Sequence, residues 1–478
     1  MFLRQIYDDK LAQYTYLIGC QQTKEALIVD PERDIDRYIR IAEDEGFAIT
    51  AVAETHIHAD FLSGARAFAH EYGVQVYVSG EGGSDWQYEW AEAYGAALLR
   101  HGDTFKLGNI RIEAVHTPGH TPEHLSYLIT DLAGATAPMG LVTGDFVFVG
   151  DVGRPDLLEK AVGRADTMKP SARHLYASVM RFLMLEDYLQ VWPGHGAGSA
   201  CGKAMGSVPE TTVGYERRFS PAITAAKAGE ERFIEYILSD QPEPPLYFAR
   251  MKQLNKEGPP LLEELPRPCP LSTDNVDALA GEEAVILDTR ADRRAFMRGH
   301  LAGSLYAPLG RDFLTITGSY AEANERIYLV VEQERLDEAV RSLVRIGLDR
   351  IAGYVTPNTL QLYRQLGGPL ASTEIIDFHE LERQRELPDV HVIDVRRKDE
   401  FAAGHVPGAQ HVPHTRLPEH LDEVPDGGTL LVHCASGARA AAATALLERH
   451  GYRAILVDDT FSTWRELSRQ EAAANTTR

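Results

Sequence analysis

At 478 residues the chain exceeds what one hydrophobic core usually serves, so two or three domains are expected, each able to bury its own core. Its 48 Lys and Arg against 70 Asp and Glu give a formal net charge of −22, which repels nucleic-acid backbones and anionic lipid surfaces. Only four cysteines occur, too scattered for a disulfide framework, and no apolar run approaches the roughly 20 residues that span a bilayer. The opening MFLRQIYDDK lacks the apolar core and cleavage site of a secretory signal, so no membrane partner and a cytoplasmic location are expected.

In chain order, the apolar runs EALIVDP, AITAVAE, IRIEAV and GLVTGDF alternate with polar turns and helical stretches such as SGARAFAHEYG. That texture predicts a layered α/β domain over residues 1–250. THIHADF (55–61) follows AITAVAE directly; HTPGHT (116–121), LVTGD ending at Asp145 and WPGH ending at His195 come later. Each stands where an apolar strand gives way to a turn, so side chains from distant strands can converge on one sheet edge. One histidine in such a place is most simply a hydrogen-bonded loop or core residue. Four such segments point to a metal.

Eight of the 25 prolines fall between Pro242 and Pro270, which predicts a linker over residues 251–271. Beyond it lies an internal repeat. VILDTRADRRAFMRGHLAGSLYAPL (285–309) matches HVIDVRRKDEFAAGHVPGAQHVPH (391–414), each with Asp, Arg two residues on, then Phe-x-x-Gly-His. Two copies of a small α/β domain are expected, at 272–368 and 372–478, joined by LGGPLAS.

In the second copy, TLLVHCASGARAAAATALLERHG (429–451) reads as a buried strand, a tight loop and an alanine-rich helix ending at Gly451. Cys434 stands at the head of that loop, where backbone amides and Arg439 favour a thiolate. Aligning YLVVE (328–332) with LLVHC (430–434) puts Glu332 at the Cys434 position, so the first copy is expected to lack a nucleophile and to serve as a spacer or docking surface.

THIHAD, HTPGHTPEH, TGDFVFVGDVGRPD and TVGYERRF together resemble the metallo-β-lactamase superfamily, and within it the persulfide dioxygenases. The resemblance implies an αβ/βα sandwich and one Fe(II) per chain, held by His56, His120 and Asp145; zinc is possible in the isolated protein. Two histidines and a carboxylate on one face leave open positions suited to ferrous iron. Phe61 stands where a further histidine would complete a second metal site. His58, Asp60 and His195 are then expected to orient ligands and water, or to form a weak second site. Arg154 resembles a position supporting the site and substrate carboxylates, with a structural salt bridge as the alternative. Cys201, in the glycine-rich HGAGSACGK, is expected to be accessible near the site mouth and able to take up sulfur; a buried structural thiol is the alternative.

The repeat resembles the rhodanese family, whose active loop CxxGxR matches Cys434, Ala435, Ser436, Gly437, Ala438 and Arg439. Tyrosine phosphatases place five residues between Cys and Arg. Here there are four, a smaller ring that suits one extra sulfur atom better than phosphate. The fused order implies oxidation of a low-molecular-weight thiol persulfide by O₂ to sulfite, coupled to sulfur transfer giving thiosulfate, as in sulfide detoxification. A zinc thioester hydrolase of glyoxalase II type fused to a sulfurtransferase is the alternative, and a persulfide-sensing protein a third. The carrier thiol (glutathione, coenzyme A or another) and a homo-oligomeric state are left open.

Overall fold

The apolar runs of the N-terminal half become strands of two six-stranded sheets, as the computed structural model shows for residues 1–160, 167–279 and 284–476. Residues 161–166, 280–283 and 477–478, within the expected first domain and the two repeats, lie outside the described residues. The first sheet runs in chain order through Phe2–Asp8, Gln13–Gly19, Glu25–Val29, Ala48–Ala53, Gln75–Ser79 and Ala97–Leu99. The second has the order Thr211–Thr212, Gln190–Pro193, Gly140–Gly144, Leu125–Asp131, Ile110–His116, Thr104–Leu107.

Period-two alternation assigns each face. In Glu25–Val29, Leu27 and Val29 join the core between the sheets, while Ala26 and Ile28 face the outer cluster with Tyr38 and Phe68 of the helices Asp36–Asp44 and Ala65–Tyr72. The second sheet mirrors this. Val142 and Trp192 point to the shared core, and Leu141 and Val191 to the helix Met168–Phe182. The result is the expected αβ/βα sandwich, with the turns after Ala53, His116, Gly144 and Pro193 carrying the histidines and aspartates.

Two compact units emerge, residues 1–265 with 344–347, and 266–343 with those from 348 onward. The expected linker therefore begins too early, because residues 251–257 belong to the helix Phe248–Glu257. Its prolines flank that helix and do not enter it. Asn255, on this helix, is buried and accepts from the Ser63 amide (2.9 Å) while donating to the carbonyls of His58 (2.8 Å) and Phe61 (2.7 Å). One side chain thus pins the THIHADF loop by three of its backbone groups.

Both repeats lie in the second unit, each with a five-stranded parallel sheet of the same winding. The shared motif is a frame. Asp288 receives the Arg290 amide and guanidinium, and Arg290 Nη2 donates to the Gly299 carbonyl at 2.9 Å. Asp394, Arg396 and Gly404 repeat this, with 2.8 Å for the last bond. His300 and His405 each stack on the phenylalanine four residues earlier, at 4.1 and 3.9 Å.

Asn255→Ala would strand one amide and two carbonyls in the interior. Leaving a buried polar group unpaired costs about 1–3 kcal/mol, so denaturant unfolding followed by tryptophan fluorescence is expected to show the first unit weakened by at least about that much.

Candidate metal centre and sulfur-carrying loop

The THIHADF loop is set from behind by Asp30. Thr55 donates its amide and hydroxyl to that carboxylate, at 2.7 and 2.8 Å, so its hydroxyl oxygen is left to accept from His56 Nδ1, 2.9 Å away. This fixes the ring proton on Nδ1 and leaves Nε2 with a bare lone pair. His120 is held likewise, Nδ1 donating to the Arg154 carbonyl at 3.1 Å. Gly144 lets the third strand end approach: a Cβ there would sit 2.5 Å from Thr55 Oγ1, and its φ is +49°.

The structure brings together the three expected ligands. Nitrogen and oxygen donors of His56, His120 and Asp145 lie within 4.8 Å of one another, all buried. Asp145 Oδ2 is 3.5 Å from His120 Nε2 and 3.9 Å from His56 Nε2, and it has no hydrogen-bond partner among the described residues. Burial pushes both histidines down, His120 to about 4 and His56 well below its ordinary value with the help of neighbouring His58. Two neutral imidazoles and one carboxylate with a bare oxygen fit a divalent ion.

His195 donates from Nδ1 to Asp145 Oδ1 at 2.6 Å and from Nε2 to Asp60 Oδ2 at 2.8 Å. Burial disfavours charge on its ring, but the two carboxylates outweigh this and carry it up to about 10. The charge in turn overcomes burial of Asp145 and holds that carboxyl well below the usual carboxylate range. His58 turns the other way. Its Nε2 lies 3.2 Å from both Asp30 and Glu54, which hold it protonated against burial, and its ring packs on Phe61 at 4.3 Å.

Arg154 is fully buried, and its guanidinium is taken up by Asp156 (2.8 and 2.6 Å) and the Ala200 carbonyl (2.9 Å). That is the salt-bridge alternative, with the backbone of the same residue orienting His120. Cys201 is not accessible as its glycines suggested: it is 2 % exposed and grouped with Asp60 and His195. Burial, and then the nearby Asp145 and Asp60, push its thiol well above the ordinary value. His124 was quoted in HTPGHTPEH without a role. Its Nε2 accepts from the Asp145 amide at 3.1 Å, and its Nδ1 meets Thr117 Oγ1 at 2.8 Å.

In the second unit, Thr429–His433 is a strand and Ala438–Arg449 a helix, with Gly437 at φ +86° between them. Cys434 is 1 % exposed at the base of the loop, within hydrogen-bond reach of Arg439. Arg439 is gripped by Glu400, at 2.6 and 2.8 Å. Burial raises the Glu400 carboxyl, but the guanidinium outweighs it and holds it at about 2. Glu400 stands one residue before the repeat's phenylalanine and is replaced by Ala295 in the first copy, a difference readable from the aligned motifs.

Strand register corrects the assignment of Glu332. Asp288 pairs with Val330, and its counterpart Asp394 pairs with His433. The Cys434 position is therefore Val331, which is buried, and exposed Glu332 falls one residue later. The first copy still has no nucleophile there, and the short helical turn Gln333–Arg335 replaces the loop.

Two family models match the chain: the metallo-beta-lactamase superfamily over residues 8–195 and the rhodanese-like domain over residues 377–467. A 2.1 Å crystal structure of a metallo-beta-lactamase from Staphylococcus aureus subsp. aureus COL is 40% identical, with a TM-score of 0.67, covering 75% of this chain and 99% of that one. The mitochondrial persulfide dioxygenase ETHE1 of Bos taurus is 27% identical over 227 residues, 47% of this chain and 76% of that protein. The probable polyketide biosynthesis zinc-dependent hydrolase BaeB of Bacillus velezensis is 26% identical over 211 residues, 44% and 84% respectively.

Sheets and site together make this a protein of the metallo-β-lactamase superfamily. More particularly, it is a fusion of such a domain, with persulfide dioxygenases among its homologues, to a C-terminal rhodanese-like domain.

Thr55→Val keeps the side-chain shape and removes the link between Asp30 and His56. Loss of a group that orients a ligand typically costs 10–100-fold in metal affinity, and about that loss is expected for Zn(II) measured by competition with a chelating dye. A carboxyl held below its ordinary value near 4.5 contributes stability that is complete above that pH and lost as pH falls through about 2. ¹³C NMR titration of Glu400 is expected to show its midpoint near 2, with the Arg439 pair still formed at pH 4.

Proposed function

We propose that the first unit oxidises a low-molecular-weight thiol persulfide with O₂ to sulfite, at one ferrous ion held by His56, His120 and Asp145. The observation that carries this reading is the bare Asp145 Oδ2 facing two imidazole nitrogens freed of protons, with Phe61 where a second-site ligand would stand. Ferrous iron bound there would offer open positions for a thiolate sulfur and O₂. The net reaction takes RSSH, O₂ and H₂O to RSH, sulfite and two protons.

The residues of the chain prepare that site. His195 commits Asp145 Oδ1, so only Oδ2 is left for the ion. Thr55 and the Arg154 carbonyl keep both imidazole protons on the far nitrogens. Phe61, wholly buried against His58, excludes water from the second-site position.

Cys434 carries sulfane sulfur in the second unit. Sulfite attacks the outer sulfur of its persulfide, the S–S bond breaks, thiosulfate leaves and Cys434 departs as thiolate, with three negative charges on each side. Arg439, fixed by Glu400, lies against that thiolate and stabilises it. Sulfite made in one unit is the acceptor for the other, a removal of sulfide-derived sulfur in two steps.

Mutation separates the halves. Asp145→Ala is expected to abolish O₂ uptake by iron-loaded protein while sparing transfer from thiosulfate to cyanide. Cys434→Ser is expected to cut that transfer at least about 100-fold, as loss of a nucleophile does, while O₂ uptake continues and sulfite accumulates. Comparing O₂ uptake with persulfides of glutathione, coenzyme A and cysteine assigns the carrier. Two tightly held zinc ions with thioester hydrolysis and no O₂ uptake would overturn the first half of the reading.

A further inference from the structure

The first repeat lacks a nucleophile, yet it touches the loop of the second. Its helix Arg293–Arg298 is capped by Asp292, whose side chain accepts from the Arg294 and Ala295 amides. From that cap two arginines reach Asp458 of the second repeat: Arg293 Nε to Oδ1 and Arg294 Nε to Oδ2, each at 2.6 Å. The Asp458 side chain is fully buried, and a Cβ added to Gly437 would lie 2.4 Å from its Oδ1. Arg293 Nη2 goes further and donates to the Ser436 carbonyl at 3.0 Å.

That bond has a geometric consequence. In a planar trans peptide the C=O and N–H point in opposite directions. With the Ser436 carbonyl held by Arg293, the Gly437 N–H is directed away from the arginine. The preceding carbonyl, of Ala435, is held by the Phe461 amide at 2.9 Å, which orients the Ser436 N–H in the same manner. Two consecutive loop amides are therefore set, one by the second repeat itself and one by the first. The aligned positions in the second repeat are Lys398 and Asp399, so the paired arginines belong to the copy without a nucleophile.

Building on the sulfurtransferase reading of Cys434, we propose that Arg293 is a positioning residue for sulfur transfer, and that the first repeat is retained as the outer half of the persulfide cradle. By holding the Ser436 carbonyl and, with Arg294, the Asp458 carboxylate behind Gly437, it fixes the amides that stabilise the outer sulfur and the departing thiolate. It acts on the transfer step and not on the fold of the second repeat, whose own frame is complete through Asp394, Arg396 and Gly404.

The test uses full-length protein loaded with sulfur from thiosulfate, Cys434 persulfide being followed by mass spectrometry. Single-turnover transfer to cyanide, giving thiocyanate and the free thiolate, is then timed. Arg293→Ala is expected to slow this step about tenfold, below the 10²–10³ of a removed oxyanion donor because the amide stays present but less well held. The loss should fall on the maximal rate and not on the cyanide concentration giving half of it. Arg293→Lys, which can keep one of the two contacts, should recover part of the rate, and melting temperatures should be unchanged. Transfer by Arg293→Ala within twofold of the wild-type rate would overturn the proposal. So would equal losses in both variants accompanied by lowered melting temperatures, because the arginine would then be only a structural tie. Wild-type protein whose Cys434 gains no sulfur would instead overturn the sulfurtransferase reading, and this proposal with it.

Discussion

Asp145 offers two carboxylate oxygens to two different environments, and the chemistry of the first unit depends on that division. Oδ1 is held by a charged His195, itself braced by Asp60; Oδ2 is bare among neutral imidazoles. The negative charge is maintained in a dry interior because the imidazolium outweighs the burial that would protonate it. Remove the imidazolium and a buried carboxylate loses its compensation. The histidine expected to be a second-site ligand or orienting group thus has an electrostatic task in the metal-free arrangement: it keeps one oxygen engaged and the carboxyl ionised.

The candidate site was readable where chemistry follows linear spacing. His56, His120 and Asp145 each close a strand and open a turn, and the alternation of apolar residues put those strand ends on one edge. The partners that tune them were not readable. Asp30, Asn255 and the Arg154 carbonyl reach the site through tertiary packing, at separations of 25, 194 and 34 residues from the groups they hold. Cys201 shows the limit of local composition. Its glycines suggested access, but burial is decided by what packs over a loop, and here it leaves 2 % of the residue exposed.

The repeats teach a related lesson about register. An apolar run aligned by eye slid by one residue and placed Glu332 opposite Cys434, because neighbouring valines give no landmark. The strand partner supplies it: the Asp of each motif selects Val330 in one copy and His433 in the other. Conversely, Phe-x-x-Gly-His was plain in the sequence, yet its meaning was not. It organises the frame in both copies by an Asp–Arg–Gly carbonyl relay and a stacked ring.

That frame has an evolutionary consequence. The residues that fold a repeat and the residues that give it a nucleophilic loop occupy separate positions, so a duplicated copy can lose its chemistry without losing its shape. Selection on the pair then has material to work with, since a silent copy that still folds presents a stable surface on which new side chains can be tried against its active sibling. In such a tandem array, catalytic decay in one member opens a route to specialisation in the other.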